Sequence, residues 1–197
     1  MTDSIRDGVG TGSRARVNEN NRLHVHAVTT SEDSAAGKAG DSYNINTGII
    51  TLTDAVDTPI LYLKNNESKS LHVEAIAVGM GPSTGGTGGI PKVTVVRNPT
   101  TIDFSADVDI KTNRNYGSEK TLDITAYKGN TGATMSGGDD HLLLFQTTNG
   151  RLFAEIDEII TPNKAIGVKI DPQASNTSMD VYVALICHLE DPASRNK

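Results

Sequence analysis

The sequence predicts an all-β chain, a jelly-roll-like antiparallel β-sandwich preceded by a polar, extended N-terminal arm. Three observations carry that prediction. Apolar residues recur with a period of two along most of the chain, the signature of a strand with one buried face. The apolar runs are short, and each is closed by Gly, Pro or Asn. The core vocabulary is aliphatic, since hydrophobic residues make up 36% of the 197 residues, with no Trp and only three Phe.

Residues 1–21 are polar and rich in Gly, Asn and Arg, with Ile5, Val9 and Val17 as the sizeable apolar side chains. Such a segment cannot bury enough surface to fold by itself. It reads as an arm, free or laid across a neighbour, ahead of a single domain over 22–197. The first strand pattern is Leu23, Val25 and Ala27 alternating with His24, His26 and Val28. Residues 31–48, dominated by Ser, Gly, Ala, Asp and Asn, read as a long loop. Short β-rich runs follow at 49–53, 60–64, 71–78, 93–97, 102–110, 122–127, 142–147, 151–160, 165–170 and 179–189. The run 151–160 carries Glu155, Asp157 and Glu158, yet Leu152, Ala154 and Ile156 alternate with them, which favours strand over helix. Asn149-Gly150 between two runs is a hairpin signal, because both residues accept positive φ. Roughly eight to ten short strands of this kind make a sandwich or barrel, and the jelly roll is the common eight-strand solution.

The formal net charge of −6 and the lack of a Lys/Arg cluster give no general attraction to phosphate backbones or anionic membranes. Nucleic acid and membrane are therefore not expected partners. No run approaches the ~20 apolar residues of a membrane helix, and Met1–Gly8 lacks an apolar signal core. The single cysteine, Cys187, stands in the apolar run 181–187 and reads as a small buried hydrophobe. His188 beside it points to the opposite face.

The sequence carries few motifs with chemistry. Gly79-Met80-Gly81 opens like a dinucleotide loop, but Thr84 stands where glycine is needed and no helix pattern follows to hold a phosphate. His24 and His26, at i and i+2 on one strand face, are the metal candidates. Jelly-roll metalloenzymes of the cupin type place a Glu soon after such a pair. Here Glu32 comes too late, Asn18 stands in place of the preceding glycine, and the second cupin motif is not recognisable. Asp103, Asp107 and Asp109, and Asp139-Asp140 in a Gly-rich turn, read as solvated acidic positions that discourage strand-edge aggregation. His72 and Glu74 alternate with Leu71 and Val73 and form another polar face. No Gly-x-Ser-x-Gly elbow occurs. No catalytic residue, cofactor or small-molecule substrate is expected.

Two stretches carry a family resemblance. One is Asn20-Asn-Arg-Leu-His-Val-His-Ala-Val-Thr29 with Tyr43-Asn-Ile-Asn-Thr-Gly48. The other is Ile49-Ile-Thr-Leu-Thr-Asp54 with Thr58-Pro-Ile-Leu-Tyr-Leu-Lys-Asn65. Together they resemble virion structural proteins of tailed bacteriophages, in particular β-sandwich head-decoration (cement) proteins. The resemblance implies a non-enzymatic homotrimer on the outer capsid surface that bridges neighbouring major capsid proteins. The arm, through Ile5, Arg6, Val9, Arg14, Arg16 and Val17, is then the expected contact with the shell or with a neighbouring subunit. Two other readings stand beside it: a tail- or fibre-associated module that binds carbohydrate, disfavoured by the lack of Trp, and a cupin-like metalloenzyme built on His24 and His26.

Overall fold

The computed structural model describes residues 5–6, 14–17, 23–24, 32–53, 56–82, 90–103, 106–107, 111–145, 150–173 and 178–190. The chain forms two compact units, Met1–Ser31 and Glu32–Lys197. The first contains β1 (Ile5–Arg6), β2 (Arg14–Val17) and β3 (Leu23–His24), a small antiparallel sheet in the order β1-β2-β3.

The second unit is the sandwich. It opens with α1 (Glu32–Ala39), then β4 (Ser42–Asn46), β5 (Ile50–Leu52), β6 (Thr58–Asn65), β7 (Leu71–Met80) and β8 (Lys92–Arg97). Short strands follow: β9 (Thr101–Asp103), β10 (Ala106–Asp107), β11 (Lys111–Asn113), β12 (Ile124–Lys128) and β13 (Thr134–Ser136). The chain closes with β14 (Asp139–Phe145), β15 (Arg151–Ile160), β16 (Ala165–Asp171) and β17 (Met179–Leu189).

The pairing defines the topology. Taking β4, β6, β7, β8, β14, β15, β16 and β17 as eight principal strands, the first pairs with the last, the second with the seventh, the third with the sixth and the fourth with the fifth. All four pairings are antiparallel. Such nested pairing is a long hairpin rolled up on itself, a jelly roll. It yields one sheet containing β4-β17-β7-β15 and one containing β6-β16-β8-β14. Their inner faces share one apolar core, with Leu61, Leu63, Val93, Val95, Val168 and Ile170 from one sheet against Ile45, Leu71, Val73, Val78, Val183 and Leu185 from the other. The all-β sandwich expected from the period-two pattern is the fold observed.

The strands between β8 and β14 are additions to this frame. β11 extends one sheet beyond β4, and β12 with β10 extends the other beyond β6. β9 and β13 pair separately, and Met135 of β13 packs with Pro99 over Gly167, filling the space that a Cβ there would need.

Three expectations are corrected. The segment 31–48 is not a loop. Its Ala-rich part forms α1, whose helix formers carry no apolar stripe and so leave no 3.6 period to read. Gly40, at φ 78°, ends it, with Gly40 N–H donating to Gly37 O and Asp41 N–H to Ala36 O. The polar-looking Ser42–Asn46 is a strand that buries Ser42, Tyr43 and Ile45. The runs flanking Asn149-Gly150 are not a hairpin, because β14 pairs with β8 and β15 with β7, in different sheets. Asp139-Asp140 lies at the start of β14, and the turn is made before it by Gly137 and Gly138, both at positive φ.

Candidate functional site

The arm positions reported by the structure lie in the first unit. Ile5 is opposite Ala15, Arg6 opposite Arg14, Arg16 opposite His24 and Val17 opposite Leu23. Val9 and His26 lie outside the described residues, as does the Gly-rich stretch 83–89. Asp103 and Asp107 fall on β9 and β10, which belong to different sheets, and Asp109 lies outside the described residues.

Within the sandwich, the side formed by β14 and β15 differs from the rest of the domain. Among the described residues each is the last strand of its sheet. β7 and β17, at the centre, alternate between fully buried and partly covered residues. Along β15 the alternation runs between exposed and half-buried, and only Ile160 is buried. The inward residues Leu142, Leu144, Leu152, Ala154 and Ile156 reach the core yet remain partly open to solvent. Leu143, Phe153 and Ile159 point outward and are 48%, 57% and 47% exposed. A cavity of about 320 Å³ opens at this side, lined by Val95, Arg97, His141, Glu158, Ile160 and Ile166 among others. His141 Nε2 and Glu158 Oε1, 2.6 Å apart, link the two edge strands across the gap between the sheets.

A second set of charged groups is paired near this side. Lys169 of β16 lies 3.1 Å from Asp57 and 3.2 Å from Asp140. Burial pulls its ammonium down, but the two carboxylates outweigh that and hold it above its ordinary value. Asp140, read from sequence as a solvated acid, is thus an ion-pair partner.

Cys187 is fully buried in the core. Burial first, and the Glu74 carboxylate second, push its thiol up to about 12, so it carries no thiolate near neutral pH. The expectation of a buried small hydrophobe holds. His188, next in sequence, lies on the other face of β17. There it meets His72 and Glu74, the polar pair read on β7. His188 was not recognisable as their partner, since β17 and β7 lie far apart in sequence and only the pairing brings them together. No protein-family model matches the chain, and no curated protein matches it.

Proposed function

We propose that this protein is a non-enzymatic assembly module of a virion, a jelly roll that docks on the outer surface of a tailed-phage head and stabilises contacts between major capsid proteins. The observation that carries the assembly part is the open β14/β15 side. A stable isolated sandwich closes its core with charged or covered edge strands. Here two adjacent edge strands present half-buried core residues and an outward Leu143, Phe153 and Ile159. A second copy of the chain is the occupant that fits, because oligomerisation around a symmetry axis covers such a side in every subunit at once. The virion placement rests on the resemblance of roughly residues 15–80 to head-decoration proteins and agrees with the jelly roll's frequent use in capsids. Fold alone does not carry it.

Two measurements test the proposal. Light scattering of the purified chain should give the mass of a trimer, and Phe153→Asp should shift it to monomer with the far-UV spectrum unchanged. A wild-type chain that stays monomeric at micromolar concentration overturns the self-association. Immunolabelling of intact particles should mark the head surface, and label confined to the tail overturns the head placement.

A further inference from the structure

A polar cluster lies on the outer face of the sheet containing β4, β17 and β7 and reaches β15 through Asp157. His188 is its centre and is only 3% exposed. Its Nδ1 is 2.7 Å from Glu74 Oε1, and its Nε2 is 3.4 Å from Nδ1 of His72. Nε2 of His72 lies 2.6 Å from Asp157 Oδ1. Asp33, in the first turn of α1, completes the group: a carboxylate oxygen of Asp33, one of Glu74 and a ring nitrogen of His188 all lie within 4.8 Å of one another. Asp33 also accepts from Arg114 Nη1 at 2.9 Å.

The backbone is distorted to bring these side chains together. The ladder between β7 and β15 shifts register between Glu155 and Glu158, and the ladder between β7 and β17 shifts between Ile186 and Cys187. Both shifts fall at Glu74 on β7. Asp157, inside the first, has φ 49°. Bulges re-aim side chains, and a non-glycine residue at positive φ is held there by its surroundings. Two bulges and one strained residue converge on the same four side chains.

The hydrogen-bond count is the second observation. Two neutral imidazoles carry one N–H each, whereas three contacts here take one, so the cluster calls for one added positive charge, a third proton or a cation. If His188 donates from Nδ1 to Glu74 and His72 donates from Nε2 to Asp157, the two facing nitrogens are both bare lone pairs. A cation between His188 Nδ1 and the carboxylates removes the conflict. His188 then gives its Nδ1 lone pair to the ion and carries its proton on Nε2, from which it donates to His72 Nδ1. His72 keeps Nε2–H for Asp157. Every contact is satisfied without an extra proton, and the ion offsets the excess of the carboxylates Asp33, Glu74 and Asp157 over the guanidinium of Arg114.

We propose that His188 Nδ1, Glu74 and Asp33 bind a divalent first-row transition ion of the zinc type, with His72 and Asp157 as the outer hydrogen-bonded pair that orients His188. One imidazole and two carboxylates suit zinc, whereas calcium and magnesium prefer oxygen ligands alone. The ion joins α1 to β7 and β17 and fastens the helix to the sheet. The site is separate from the assembly reading and stands or falls independently of it.

The test uses the full chain stripped with a chelator and titrated with zinc by calorimetry, with melting followed in parallel. One ion should bind per chain and raise the melting temperature, with no response to calcium. Asp33→Asn and Glu74→Gln, at partly exposed positions that tolerate the isosteric amide, should each fold and lose most of the affinity. His72→Asn should keep the stoichiometry and weaken binding by about 10- to 100-fold, as loss of an orienting partner does. Replacing both His24 and His26 with alanine should change nothing. No zinc binding, equal binding in Asp33→Asn and Glu74→Gln, an equal response to calcium, or loss of binding in the His24/His26 variant would each overturn the proposal.

Discussion

The two flanks of the sandwich are built from equivalent strands and finished differently. On one, the outermost principal strands β4 and β6 are each extended, by β11 and by β12 with β10. On the other, β14 and β15 end their sheets. The strands that extend the first flank, β10, β11 and β12, come from one stretch of chain, between β8 and β14, so a single insertion in the jelly roll covers one flank. Leu122, on the way into β12, is 1% exposed and belongs to the core. Leu152, at the bare flank, packs on the same core and stays partly open. The covered flank finishes its side of the core within the chain, and the bare flank leaves its inward residues partly open to solvent.

The largest expected effect measures this difference directly. Leu122→Ala removes a fully buried side chain and should cost about 2–5 kcal/mol in urea unfolding. Leu152→Ala should cost about 1 kcal/mol in the monomer, because part of its surface is already in water. It should cost more at concentrations where the chain associates, since association completes its burial. Equal losses for the two variants at low concentration would show that both flanks are closed within the monomer.

The flanks also differ in how far they could be read from sequence. The bare flank was legible in part: Arg151–Ile160 alternates plainly, and its strand is found with the expected bounds. Its position at an edge was not legible, because Asn149-Gly150 signals a local hairpin and the jelly roll sends the two strands into different sheets. The covered flank was legible in part as well: the runs 60–64 and 122–127 are found as β6 and β12, while β4 and β11 were not read. β11 is a three-residue strand with little apolar content, and β4 shows only five residues, with the polar Ser42 among its buried ones. The same limit applies to the His188 cluster. His72 and Glu74 share a face by simple alternation, but His188 and Asp33 reach them only through pairing and helix packing, which leave no local pattern.

The central strand β17 lies between the flanks and offers an intermediate effect. With its thiol at about 12 in the fold against an ordinary value of 9.0, Cys187 stays protonated in the native state while the unfolded chain loses its proton. The unfolded state therefore binds fewer protons between about pH 9 and 12, and stability falls as pH rises through that window. Cys187→Ala should flatten this alkaline slope and leave stability at pH 7 lower by the lost packing. At pH 8 a thiol reagent should react with the native protein only as fast as the sheet opens, and at once in denaturant. Rapid labelling of the native protein would show that the bare flank exposes the core as far as β17.

The smallest effect concerns the ion pairs at each flank. Lys120 Nζ contacts both oxygens of Asp41, at 2.9 and 3.0 Å, on the covered side. His141 meets Glu158 at 2.6 Å on the bare one. In both pairs water reaches the partners, with side-chain exposures of 53% and 20% in the first and 41% and 29% in the second. Exposed pairs contribute about 0–1 kcal/mol and weaken as salt rises. Lys120→Ala and His141→Ala should therefore each shift the urea midpoint slightly, and less at high salt. A much larger loss for His141→Ala would break the comparison. It would mean that the link between β14 and β15 closes the sandwich by itself, as the added strands do opposite, and that the apolar residues beside it need no second copy to cover them.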